Sequence, residues 1–428
     1  MLSRRICPRL AVWTVLAAVS LSMTQAGEGG LVLKKGDRVA IVGDSITEQK
    51  LYSKYIELYL IACMPELDLK CMQYGWSGET AGGFKNRMEN DLKLFEPNVV
   101  TTCYGMNDGG YKPFNEGTGN TYYNAMNQIV TKLKASGATV VVGSPGAVDF
   151  KFFKGGGEQP KMYNATLASL RDIAKKIADE QKMPFANVYD AMYSAMEKAK
   201  AALGENYDVC GKDGFHPGPN GHLLMAYAFL KGMGLDGNLG TITVDMKGAS
   251  SAEGGHKVLS GENGKAEIES TRYPFCFNGD VKSSSGTLSV APFVPFNQDL
   301  NRLTLIVKNL EGEKAQVNWG GQSKSFSKAE LEKGINLAEQ FMAANPFSEA
   351  FRNMDTRVSQ KQSYETPMIK GAITGFPGLA KTLEADKEIA AKLEVMRKSY
   401  YEIQDSYHRY VRAGMVPVKH AISVTPEK

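Results

Sequence analysis

Four polar segments in the first half of the chain hold residue types that acyl transfer needs. They are Gly43-Asp44-Ser45-Ile46, Gly75-Trp76-Ser77-Gly78-Glu79-Thr80, Gly105-Met106-Asn107-Asp108 and Asp213-Gly214-Phe215-His216-Pro217. The reaction requires a hydroxyl nucleophile, a base, a group that orients the base, and donors for the oxyanion. Ser45 is the candidate nucleophile and His216 the candidate base. Asp213, on the same loop, can accept from the imidazole and select its tautomer. Gly78 and Asn107 are candidate donors: glycine lets a backbone N–H approach a reacting carbonyl, and an asparagine amide supplies a neutral, aimed N–H. Trp76 and Asp108 are candidates for the substrate pocket, although Asp108, with Asp44, Thr47 and Glu79, also suits bracing of the loops. Singly, each residue has a commoner, plainer reading. Ser45 suits a helix N-cap, Gly78 and Asn107 suit turns, and Asp213 and His216 suit a turn acid and a surface imidazole. His222, on a helical pattern, reads as structural.

The elements around these segments put them together. Val39-Ala40-Ile41-Val42 is a buried strand by its unbroken apolar run. Further strands are expected over 67–74, 99–104, 139–143 and 186–190. Amphipathic helices are expected over 50–62, 81–95, 122–136, 161–182 and 220–233. Such alternation implies an α/β domain, residues 31–237, with a parallel sheet and helices on both faces. Three of the polar segments follow strands, at the carboxyl edge where open α/β sheets bind ligands.

The composition changes after Gly237. Residues 238–325 are rich in Thr, Ser, Val and Gly, and the runs 241–244, 266–270 and 303–307 read as a small antiparallel β-rich accessory segment. Residues 326–428 read as a helical C-terminal extension, with helices over 327–345, 348–360 and 378–412. Ser327 and Glu330 have capping-box spacing.

In order and context the four segments resemble those of the SGNH hydrolases, the GDSL lipase/esterase family, and in particular its large secreted bacterial members. The resemblance covers roughly residues 36–235. It implies a flavodoxin-like three-layer α/β/α fold. It also implies that Ser45 is the nucleophile, His216 the base and Asp213 its orienter, with the Ser45 N–H, Gly78 and Asn107 forming the oxyanion hole. No metal or other cofactor is implied.

The remaining bounds narrow the class of partner. The formal charge is +4 over 428 residues, with no basic stripe, which argues against nucleic acid. Arg4, Arg5 and Arg9 precede an apolar run over 10–23 and a small-x-small site at Thr24-Gln25-Ala26, so residues 1–26 read as a signal peptide and the product as periplasmic or extracellular. No stable membrane span is expected after its removal. Five cysteines remain, with no zinc spacing; Cys63 and Cys71 are near enough to pair, whereas Cys103 suits a core position. Aromatic residues in the loops (Trp76, Tyr104, Tyr111, Phe114, Phe150, Phe152, Phe153) suit a polysaccharide. The expected function is a secreted serine esterase that removes O-acetyl groups from carbohydrate. A lysophospholipase or thioesterase is the enzymatic alternative, and a non-catalytic carbohydrate-binding protein the alternative of another class. Oligomeric state is left open.

Overall fold

The computed structural model describes residues 30–382 and 386–427. The expected signal peptide lies outside them. Five strands, β1 (Arg38–Gly43), β2 (Lys70–Gly75), β3 (Val99–Cys103), β4 (Thr139–Gly143) and β5 (Phe185–Ala186), form a parallel sheet in the order β2-β1-β3-β4-β5. Every residue of β3 and residues 39–43 of β1 are buried. Alternation splits β1 between two apolar layers: Val39 and Ile41 pack with Tyr52, Leu223 and Phe229, whereas Ala40 and Val42 pack with Phe84 and Ile129. Strand order reverses at β1, so a crevice opens at its carboxyl end. The fold is the three-layer α/β arrangement expected.

Local expectations fail where short-range chemistry intervenes. The fifth strand ends at Ala186 because the Asn187 side chain accepts from the Asp190 N–H and caps a helix, Val188–Leu203, that was not anticipated. The second strand starts at Lys70, not 67, after a 3-10 turn at Pro65–Leu67 and a left-handed Asp68. The third helix starts at Glu116, not 122, with Asn115 as its cap; Gly117 and Gly119 hide its first turn in the sequence.

Among the described residues the second half adds nine strands: β6 (Asn238–Asp245), β7 (Ser251–Ala252), β8 (His256–Glu262), β9 (Lys265–Ser270), β10 (Arg302–Lys308), β11 (Lys314–Trp319), β12 (Gln322–Ser327), β13 (Ile335–Asn336) and β14 (Val418–Pro426). They form two sheets, β13-β10-β6-β7 and β12-β11-β14-β9-β8. β6 and β10 run parallel, which corrects the expectation of a purely antiparallel segment. The Ser327 capping box is present. The C-terminal run is helical over Ser348–Pro367, Phe376–Thr382 and Lys387–Arg412, and then enters the middle of the second sheet as β14.

The halves share one core. Phe275 lies 6.2 Å from Tyr55, 5.0 Å from Phe296 and 5.0 Å from Phe351, ring centre to ring centre. The helix Ser348–Pro367 also covers the exposed edge of the first sheet. Lys361 Nζ donates to the Cys71 carbonyl at 2.7 Å, and Glu365 Oε2 accepts from the Gln73 N–H at 3.1 Å. Both belong to β2, whose outer polar groups would otherwise lack partners. Cys63, Cys71, Cys103, Cys210 and Cys276 are free thiols and buried. Among the described residues no helix is long and apolar enough to cross a membrane.

Candidate active site

β1 ends at Gly43, where a side chain has no room: a Cβ would stand 2.1 Å from Thr47 Oγ1 and 2.8 Å from the Cys103 carbonyl oxygen. Asp44 follows and caps a four-residue helix, Ser45–Glu48, by accepting from the Ile46 N–H at 3.0 Å. The capping role open to Ser45 therefore falls to Asp44. The Ser45 hydroxyl instead lies 2.9 Å from His216 Nε2.

His216 Nδ1 is 2.7 Å from Asp213 Oδ2, and Asp213 Oδ1 accepts from the N–H groups of Phe215 and His216, each at 3.0 Å. A carboxylate can only accept, so the imidazole proton belongs on Nδ1 and the lone pair of Nε2 faces Ser45. Burial alone would raise the Asp213 pKa. The backbone and side-chain hydrogen bonds from His216 and Phe215 outweigh it, so the carboxyl stays below the usual range. The loop is held from beneath. Asp149 donates its N–H to the Gly214 carbonyl at 2.8 Å, and its buried carboxylate pairs with Lys200 at 3.0 Å.

The candidate donors surround Ser45's helix. Gly78 has φ +74° and is exposed, in the left-handed region that glycine enters without strain. Neither its N–H nor that of Ser45 has an acceptor among the described residues. The Asn107 amide nitrogen donates to the Glu79 carbonyl at 3.0 Å and lies 3.5 Å from Asp44 Oδ2. Its oxygen accepts from the Tyr111 hydroxyl at 3.0 Å, which orients the amide.

Buried acids brace the loops. Asp108 accepts from Ala81 N–H and Gly105 N–H, each at 3.0 Å, so both its oxygens serve backbone, which fits the bracing role. Burial pushes its pKa up to about 6. Burial, with Asp108 and Glu79 nearby, pushes Asp44 up to about 7. Glu79 pairs with the Arg87 guanidinium at 2.6 and 2.7 Å and accepts from the Tyr104 hydroxyl at 2.7 Å. Thr47 is buried and shares a 2.6 Å hydrogen bond with the Tyr52 hydroxyl. Trp76 is half-buried, with Arg87 and Lys370 over its ring at 5.0 and 4.9 Å. His222 is structural, as expected: its Nδ1 accepts from the Tyr52 N–H, and burial holds it down to about 3. Glu48 and Lys370 were missed, because nothing local marks a glutamate or a distant lysine as part of a site; Tyr111 was expected only as one of the loop aromatics, not as the partner of Asn107.

The family of GDSL-like lipases and acylhydrolases matches residues 41–224. An acetylxylan esterase from Geobacillus stearothermophilus is 25% identical over 222 residues, 47% of this chain and 95% of that protein. A solved structure of a gut microbial diltiazem-metabolizing enzyme superposes with a TM-score of 0.70 at 20% identity, over 93% of this chain and all of the other. That likeness extends the shared fold through both halves. Residues 41–224 are thus a GDSL-like lipase/acylhydrolase domain of the SGNH hydrolase type, and the chain is a carboxylic ester hydrolase.

Proposed function

We propose that the chain is an exported serine esterase that removes acetyl groups from carbohydrate, with Ser45, His216 and Asp213 as its triad. The observation that carries this reading is the line of contacts from Ser45 Oγ to His216 Nε2 at 2.9 Å and from His216 Nδ1 to Asp213 Oδ2 at 2.7 Å. His216 takes the Ser45 proton as Oγ attacks the ester carbonyl. The oxyanion is held by the N–H groups of Ser45 and Gly78 and by the Asn107 amide. His216 then protonates the leaving alkoxide. Water, deprotonated by His216, attacks the acyl-enzyme and releases the acid. Asp213 holds the imidazole in the required tautomer throughout.

The acetylated-carbohydrate reading is supported by the similarity to an acetylxylan esterase and by the loop aromatics. Of these, Tyr104 and Phe153 are buried in the core, but Trp76, Tyr111, Phe114, Phe150 and Phe152 keep exposed surface on which a sugar ring can stack. Export rests on the N-terminal sequence pattern.

The test is turnover of p-nitrophenyl esters of increasing acyl length by the full chain and by Ser45→Ala, with acetate release from acetylated xylan. Hydrolysis of acetyl esters that is lost in Ser45→Ala is the expected result. An unchanged rate in that variant would overturn the triad. Preference for long acyl chains would favour a lysophospholipase or thioesterase, and polysaccharide binding without hydrolysis a binding protein.

A further inference from the structure

Glu48 lies one helical turn after Ser45, on the same four-residue helix, and its carboxylate joins three parts of the molecule. On one side Oε2 accepts from the Ser77 N–H at 2.5 Å and from the Ser77 hydroxyl at 2.6 Å. Ser77 immediately precedes Gly78. On the other side Glu48 pairs with Lys370 Nζ, at 2.9 Å to Oε1 and 3.0 Å to Oε2. Lys370 also stands 4.9 Å over the Trp76 ring, so it reaches the same loop twice, through Glu48 and through the indole face.

Lys370 belongs to the C-terminal extension. It sits in a widened π-helical turn, Met368–Ala372, directly after Pro367 ends the helix Ser348–Pro367. Such turns insert one residue into a helix and re-aim its side chains. Here the flanking residues Met368 and Ile369 are buried in the core layer that holds Ala40, Val42 and Phe84. The turn is therefore anchored against the sheet and its lysine is presented to Glu48. The Lys370 and Glu48 side chains are only 29% and 20% exposed, so their pairing is shielded from much of the screening that weakens surface pairs.

We propose that Lys370 is a positioning residue of the esterase site: through Glu48 and Trp76 it fixes the Trp76-Ser77-Gly78 loop, and with it the Gly78 N–H, relative to Ser45. This rests on the proposed role of Gly78 as an oxyanion donor. It gives the extension a function in catalysis, since a residue more than 300 positions downstream sets the geometry of the reaction centre. The Glu48 carboxyl is consistent with it: burial would raise its pKa, but hydrogen bonds from Ser77 and Lys370 outweigh this and keep it below the usual value, so Glu48 is an ionised acceptor at neutral pH.

The oxyanion forms only as the reaction proceeds, so a displaced donor lowers kcat more than it alters KM. The experiment compares the full chain with Lys370→Met, Lys370→Arg, Glu48→Gln and Ser45→Ala on p-nitrophenyl acetate, with thermal unfolding of each. Lys370→Met is expected to lower kcat about tenfold, less than the ~10²–10³ of losing a donor outright, with KM within about twofold. Lys370→Arg is expected to restore most of the rate. Glu48→Gln combined with Lys370→Met should cost less than the product of the two single losses, since both break one link. An unchanged kcat in Lys370→Met would overturn the proposal, as would a rate loss that Lys370→Arg does not rescue. Should Lys370→Met fold poorly, Glu48→Gln tests the same link, and full kcat there would equally overturn it. If Ser45→Ala keeps the wild-type rate, the serine-esterase reading has failed instead. If Ser45→Ala is inactive and Lys370→Met is not impaired, only the positioning role has failed.

Discussion

Gly75, the last residue of β2, lies so close to Glu48 that a Cβ on it would stand 2.2 Å from the Glu48 backbone nitrogen. The strand that leads into the Trp76 loop is thus pressed against the helix that carries Ser45. Gly75→Ala must push the two apart. We expect a stability loss of about 1–3 kcal/mol, as in other overpacked sites, and a fall in kcat on p-nitrophenyl acetate larger than that stability loss alone explains. Thermal unfolding and kinetics on the same preparation check both, and an active, wild-type-stable variant would contradict the close packing.

Lys361 joins the extension to the α/β domain as an ion pair with Glu57 at 2.9 Å and Glu365 at 2.6 Å, none of the three side chains exposed. Lys361→Met fills the space but leaves two buried acids without their cation. Breaking a buried pair in this way typically costs about 3–5 kcal/mol. Urea denaturation at pH 7 should show a loss of that order. Removing all three charges together, with Glu57→Gln and Glu365→Gln added, should recover part of it.

Much of the α/β domain was legible because its signals are local. Val39 to Val42 and Val99 to Cys103 announce buried strands by composition, and the polar segments sit where those runs stop. The site was legible only as a set. An acid three residues before a histidine, as in Asp213 and His216, recurs at Glu253–His256 and Asp405–His408, yet the structure buries both of those imidazoles away from Ser45's helix: His256 bonds Ser270 and the Leu239 carbonyl, and His408 packs near Lys361. What stayed hidden depends on long-range pairing. β14 does alternate, with His420, Ile422 and Val424 inward, but its polar His420 reads as solvent-facing until Trp319 is seen donating to it at 3.2 Å. The Lys370 contact has no local signal at all, since its partners, Glu48 on Ser45's helix and Trp76 in the loop after β2, lie far away in the sequence.

Asp44, beside Ser45, links stability to pH. Its pKa is raised from 3.8 to about 7. Between those values the folded chain keeps a proton that the unfolded chain has lost, so this group favours folding at acid pH, and its contribution is lost as pH rises through about 7. Asp44→Asn keeps the acceptor for the Ile46 N–H and cannot ionise. Relative to wild type, its Tm should therefore rise progressively from pH 5 to pH 8. A difference independent of pH would show that Asp44 does not titrate in that range.

His420 gives the opposite slope. Burial, with His256 nearby, lowers its pKa from 6.5 to about 4. Below pH 6.5 the unfolded chain takes up a proton that the folded chain refuses, so stability falls as pH drops from 6.5 to about 4 and this effect then levels off. His420 Nε2 also contacts the Ser270 hydroxyl, at 2.9 Å, and a protonated ring could no longer accept from Trp319. His420→Gln retains a donor and an acceptor without titrating. Its Tm should lose less than wild type between pH 6.5 and pH 4.5, read by differential scanning at matched ionic strength.

Asn107 and Tyr111 separate the proposed oxyanion donor from the group that aims it. Asn107→Ala removes the amide outright and should lower kcat about 10²–10³-fold, the usual cost of one oxyanion donor. Tyr111→Phe leaves the amide in place and removes only the 3.0 Å hydrogen bond to its oxygen. The amide is still tied to the Glu79 carbonyl at 3.0 Å, so it loses one of two restraints, and kcat should fall about tenfold or less. In Asn107→Ala the tyrosine has nothing left to orient, so adding Tyr111→Phe should cost almost nothing more. Equal losses in both backgrounds would mean that Tyr111 acts on the substrate directly and not through Asn107.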